Sequence, residues 1–136
     1  MTFQLHPQLK KDCVLLGRLN LCQLLLMNDS QFPWFILVPE INGLTEIFQL
    51  SKQQQNALID ESSELAELLK TLFKADKINI AAIGNLVPQL HVHHVVRYHS
   101  DKAWPAPVWG KFSTIPYPEQ ALLETVGLIG RHLNLK

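Results

Sequence analysis

Gln89, His91 and His93 stand at alternate positions in the stretch Pro88-Gln89-Leu90-His91-Val92-His93-His94-Val95-Val96-Arg97. Side chains alternate faces along a strand, so these three would share one face and leave Leu90, Val92, His94 and Val96 on the other. Successive groups on one face lie about 7 Å apart, which makes a small platform of proton donors and acceptors. Imidazole suits nucleophilic and acid–base work near neutral pH, because its unperturbed pKa is about 6.5. Two histidines at this spacing also suit two corners of a zinc site. No third ligand stands out, however, and Cys13 and Cys22 lack Cys-x-x-Cys spacing. The expectation is no metal and no cofactor. His94 on the opposite face, and His6, His99 and His132 elsewhere, read as structural residues.

The elements that must hold this platform follow from the patterning. Cys13 to Leu19 and Leu21 to Met27 read as two strands turned at Asn20, and Asn28-Asp29-Ser30-Gln31 is a turn by composition. Pro33 opens a third strand, Trp34 to Val38. Ser51 with Gln54 makes a capping box, and Leu58, Leu65, Leu68, Leu69, Leu72 and Phe73 then recur at helical spacing, predicting a long helix over 51–74. Lys77 to Ile83 alternates like a strand that Gly84 breaks, and Gln89 to Arg97 is the fifth. Four prolines and two tryptophans between Tyr98 and Pro118 predict a tail ordered by side-chain docking. Leu122, Leu123, Val126, Ile129 and Leu133 predict a closing helix over 119–133. Strands with interposed helices predict an α+β fold, with a mainly antiparallel sheet of about five strands.

A chain of 136 residues is expected to form one domain spanning 1–136. Its 12 basic and 12 acidic residues cancel, which removes any general pull toward nucleic acid or anionic membrane. The opening Met1 to Pro7 lacks the basic-then-apolar order of a secretory leader, and no apolar run approaches the ~20 residues of a membrane span. Two cysteines in apolar surroundings read as free thiols, and a cytoplasmic protein is the expectation.

The segment from Gly84 to Arg97 resembles the signature of the histidine triad (HIT) family, in which three histidines alternate with apolar residues after a glycine-containing loop. Gly84, Asn85, Pro88, the triad positions Gln89, His91 and His93, and the basic Arg97 carry the match. Leu26-Met27-Asn28, Pro33 and Ile36-Leu37-Val38 resemble the N-terminal half of the family, and Trp104 to Gly110 resembles the tail of a bacterial branch. The resemblance implies a HIT-like fold and a homodimer whose sheets pair across a two-fold axis. It implies a hydrolase or transferase acting on the α-phosphate of a nucleoside phosphoramidate, dinucleoside polyphosphate or related conjugate. His91 would be the nucleophile, forming a covalent nucleotidyl-imidazole. His93 would donate to phosphate and serve as a proton source, while Asn28 and Asn85 would contact the nucleotide.

Two departures qualify that expectation. Gln89 replaces the first histidine, and glutamine cannot carry a proton through the working pH range. Phe35, in an ungapped comparison, stands where many relatives have a further histidine. Neither change removes the nucleophile, so an active hydrolase is expected, with turnover that the missing imidazoles can slow. The alternatives are a nucleotide-binding or sensing module without turnover, and a structural protein whose histidines are incidental. Trp34, Trp104 and Trp109 are expected in the core or an interface rather than in a base-stacking site.

Overall fold

The computed structural model describes residues 2–136. A short helix α1 (Pro7–Asp12) precedes three strands, β1 (Cys13–Arg18), β2 (Cys22–Met27) and β3 (Trp34–Pro39). A 3₁₀ turn at Ile47–Gln49 leads into the long helix α2 (Lys52–Leu72), followed by β4 (Lys77–Ala81), β5 (Val92–Arg97) and α3 (Glu119–Gly130). The five strands form one sheet in the order β1-β2-β3-β5-β4, and every neighbouring pair is antiparallel. The α+β expectation and the strand count are met. Both α1 and the 3₁₀ turn lie outside the expected elements, being too short to show a periodicity.

Helix α2 begins as its sequence dictates. Ser51 Oγ accepts from the Gln54 amide at 3.1 Å, and Gln54 Oε1 accepts from the Ser51 amide at 3.0 Å. It ends where Lys74 turns left-handed at φ 51° and the Ala75 amide closes on the Lys70 carbonyl. Leu58, Leu65 and Leu69 from α2, with Ile129 from α3, pack on Leu24, Leu26, Phe35, Leu37, Val92 and Val96 of the sheet. Truncating any one of these buried leucines to alanine would cost about 2–5 kcal/mol.

Among the described residues, no long helix covers the opposite face of the sheet, where only the short α1 contributes Leu9. Phe3, Leu5 and Leu9 of the N-terminal segment, with Ala103, Val108 and Trp109 of the tail, pack there on Leu25, Trp34, Ile36, Val38 and Val95. The tail is thus ordered by docking, as its composition predicts. Among the described residues, no helix is long and apolar enough to cross a membrane.

Glu61 of α2 ties the helix to the sheet through polar atoms. Its carboxylate accepts from the amides of Leu21 at 2.8 Å and Cys22 at 3.1 Å, at the turn that joins β1 to β2. Removing that acceptor strands two backbone donors in a poorly hydrated place. We expect Glu61→Ala to lower unfolding free energy by about 2–3 kcal/mol, and Glu61→Gln to lose much less. Urea titration checks this, and an alanine variant within experimental error of the parent would refute the role.

Candidate active site

The loop between β4 and β5 decides where the platform begins. Gly84, at φ 70°, supplies a left-handed turn that a side chain would disfavour. The Leu90 amide then donates to the Leu44 carbonyl at 2.8 Å, and the Leu90 side chain enters the helix-side core. Val92 follows it there, so His91 and His93 are turned toward the other face. The expected strand from Gln89 is shorter than predicted: β5 starts at Val92, because β3 pairs only as far as Leu37 opposite Val92. Likewise β4 stops at Ala81 rather than Ile83. The alternation of faces survives, with His94, Val92 and Val96 on the helix side.

The ring nitrogens of His91 and His93 have different partners. His91 Nδ1 lies 2.7 Å from the Gln89 carbonyl oxygen, which can only accept, so Nδ1 carries the proton and the Nε2 lone pair is free. The Trp34 indole N–H donates to His93 Nδ1 at 2.9 Å. Indole can only donate, so the His93 proton sits on Nε2. The two ring centroids are 4.8 Å apart. Among the described residues neither Nε2 has a partner within the chain, and neither is sealed from solvent. Burial pushes the His91 pKa down, against the opposing pull of the Gln89 carbonyl. Burial, aided by the neighbouring His91 and His94, pushes His93 down to about 3. Both rings are neutral at physiological pH. One offers a lone pair and the other an N–H, side by side.

A cleft of about 760 Å³ opens onto both rings, lined also by His6, Met27, Asn85 and Trp109. Trp109 stands edge-on to His93 at 5.3 Å and to Trp34 at 5.9 Å. Its indole N–H is buried and has no partner among the described residues. Asn85 is exposed in the loop on the cleft wall. Asn28 is not brought to the cleft; its Oδ1 accepts from the Tyr117 amide at 2.9 Å and fastens the approach to α3. Gln89 adjoins the site through its carbonyl, but its side chain binds the N-terminal segment.

Phe35 does not face the platform. It is buried on the helix side against Phe73, and the residue of β3 that reaches the histidines is Trp34. The ungapped comparison therefore points one residue past the site-facing position. His94 fits its structural reading: Nδ1 donates to the Val92 carbonyl at 3.1 Å, and Nε2 accepts from Ser62 Oγ at 2.7 Å. His99 rests beside Trp104, and His132 bonds the Leu128 carbonyl within its own chain segment. His6, expected to be structural, caps α1 and also lines the cleft. Trp109 lines it too, while Trp34 is both core and site. No local pattern marks these three, since each reaches the cleft only through tertiary packing. Among the described residues, no three His, Cys, Asp or Glu side chains gather to hold a metal ion.

The HIT domain family model matches residues 8–100, more than half of the chain. Among solved structures, the chain is similar to a histidine triad protein from Marinobacter aquaeolei VT8, at TM-score 0.94 and 49% identity over 96% of each chain. It is similar to a histidine triad protein from Bradyrhizobium japonicum, at TM-score 0.94 and 40% identity over 96% of this chain and 98% of that one. A histidine triad (HIT) protein from Sinorhizobium meliloti 1021 shares TM-score 0.94 and 42% identity, over 97% of this chain and 98% of its own. No curated protein sequence matches.

The tautomers can be read directly. Nitrogen-15 NMR should find His91 protonated on Nδ1 and His93 on Nε2, with His93 still neutral near pH 5, where a free imidazole is almost wholly charged. Below their ordinary pKa of about 6.5, His93 and His94 bind fewer protons folded than unfolded, so stability falls as pH drops toward about 3 and 4 respectively. A His93 that titrates near pH 6.5 would contradict this geometry.

Proposed function

The chain belongs to the HIT family, and on that premise we propose that it is a metal-independent nucleotide hydrolase or transferase acting through a covalent nucleotidyl-His91. One observation carries the reading: the Gln89 carbonyl fixes the His91 proton on Nδ1 and leaves Nε2 as a free lone pair in the cleft.

In the proposed first step, His91 Nε2 attacks the α-phosphorus of a nucleoside phosphoramidate or related conjugate. The N–P bond forms as the bond to the leaving group breaks, and that group departs with the electron pair and takes a proton from solvent. The positive charge left on the ring is stabilised by the Nδ1–H bond to Gln89. His93 Nε2–H and the Asn85 amide donate to the non-bridging oxygens, which carry the developing charge. Water, or another acceptor, then attacks phosphorus on the far side. It loses a proton, and the N–P electrons return to Nε2. As a neutral ring held low by burial, His93 suits hydrogen-bond donation better than acid catalysis. Leaving groups that are stable as they depart, or that carry their own proton, are therefore the favoured substrates. His91 also borders a second cleft of about 750 Å³, giving a two-part substrate room for each half.

The reading extends to assembly and location. Strand β4 is an unpaired edge whose Ile80 is 52% exposed, a surface suited to pairing with a second copy. The free thiols Cys13 and Cys22 suit a reducing compartment such as the cytoplasm.

Wild-type protein should release a fluorogenic amine from its adenosine phosphoramidate with or without chelator. His91→Ala should lower that rate by at least about a thousandfold while keeping the fold, as expected for loss of a nucleophile. Tight mononucleotide binding without turnover would favour the sensing module, and neither binding nor turnover would reject the nucleotide reading. Light scattering should give a dimeric mass, and a monomer would refute the β4 pairing.

A further inference from the structure

The first triad histidine is replaced by Gln89, and the atoms that Gln89 engages show what it does instead. Its Oε1 accepts from the His6 amide at 2.8 Å, and its Nε2 donates to the Gln4 carbonyl at 3.0 Å. A carboxamide presents one acceptor and one donor side by side at its tip, which matches the carbonyl and amide of residues two apart on an extended segment. Imidazole nitrogens point in divergent directions and cannot make that pair of bonds. Asn42 repeats the arrangement one step earlier, accepting from the Gln4 amide at 2.9 Å and donating to the Thr2 carbonyl at 3.0 Å. Two side-chain amides thus hold residues 2–6 as a strand would, across sequence separations of up to 85 residues.

The segment so held ends at His6, which lines the same cleft as His91 and His93. His6 caps α1: its Nδ1 accepts from the Gln8 amide at 3.0 Å, so the neutral ring carries its proton on Nε2. That Nε2 has no partner among the described residues. A charge on His6 would push the His91 pKa down, so the two rings lie within electrostatic reach of each other.

Resting on the nucleotide reading above, we propose that His6 is the third imidazole of this site, an Nε2–H donor to a phosphate oxygen of the bound nucleotide, and that Gln89 is the positioning residue that brings it there. The chain would have moved its third imidazole from the triad strand to the N-terminal segment, exchanging a histidine at position 89 for a clasp that delivers one from position 6.

His6→Asn tests this without dismantling α1, because asparagine also caps helices well but lacks the imidazole donor. AMP affinity, read by tryptophan fluorescence, and kcat/KM on the adenosine phosphoramidate should each fall about ten- to a hundredfold, as for loss of a hydrogen bond to a charged group. Gln89→Ala should cause a similar fall in kcat/KM and speed hydrogen exchange at the His6 amide. The double variant should be little worse than the more impaired single, since both changes remove one contact. A His6→Asn protein that binds AMP and turns over within about twofold of wild type overturns the proposal, whatever Gln89→Ala does. So do fully additive losses. If such a protein still loses all turnover on His91→Ala, only the role of His6 falls. If wild type neither binds AMP nor turns over, the nucleotide reading falls and this inference with it.

Discussion

A backbone carbonyl has no proton to give, and an indole nitrogen has no lone pair to offer. Those two facts, applied to adjacent imidazoles, set the chemistry of the cleft. The Gln89 carbonyl forces the His91 proton onto Nδ1, and the Trp34 indole forces the His93 proton onto Nε2. Both rings are nearly buried, at 7% and 5% exposure, and neither gains a carboxylate that would favour charging it. Burial alone would leave neutral rings of undefined tautomer. The two fixed partners convert them into a lone pair beside an N–H donor, the arrangement that the proposed nucleotide chemistry would use without reorganisation.

The supporting structure keeps those partners in register. Ile36 faces His93 across the β3–β5 pair, which places Trp34, two residues earlier, on the same face and within reach of His93. Trp109 of the tail stands against the rings of His93 and Trp34, and the tail is pinned by Arg97. That guanidinium is 1% exposed, yet it bonds Asp101 at 2.8 and 3.1 Å, Asn79 at 2.7 Å and the Ala106 carbonyl at 2.8 Å, with Trp104 over its face. A buried charge survives only when so fully matched. Arg97 therefore serves the site from a distance, by ordering a segment that has little regular structure of its own.

The sheet and both long helices are legible in the sequence because each buries one face over several periods, and the capping box at Ser51 marks the start of α2 to the residue. The alternation after Pro88 likewise identifies His91 and His93 as a pair sharing a face. What the sequence hides are features that depend on partners distant in the chain. Asn28 sits beside a plausible turn but spends its side chain on Tyr117. Phe35 and Trp34 differ by one position, and in a strand one position is the difference between core and site. His6 lies 85 residues before His91, in a segment held by amide side chains that no periodicity reveals.

Gln89 thus has two parts in the cleft. Its side chain anchors the N-terminal segment that forms one wall, while its carbonyl orients the proposed nucleophile. That orientation is the centre of the account, and the covalent intermediate is its most direct consequence. Wild-type protein should be mixed with excess adenosine phosphoramidate, quenched in alkali within milliseconds to seconds to preserve an N–P bond, digested and examined by mass spectrometry. One nucleoside monophosphoryl group should appear on the peptide containing His91, localised to that ring and removed as turnover completes. Turnover with no such adduct at any time, or with the group on another residue, would contradict a nucleophilic His91.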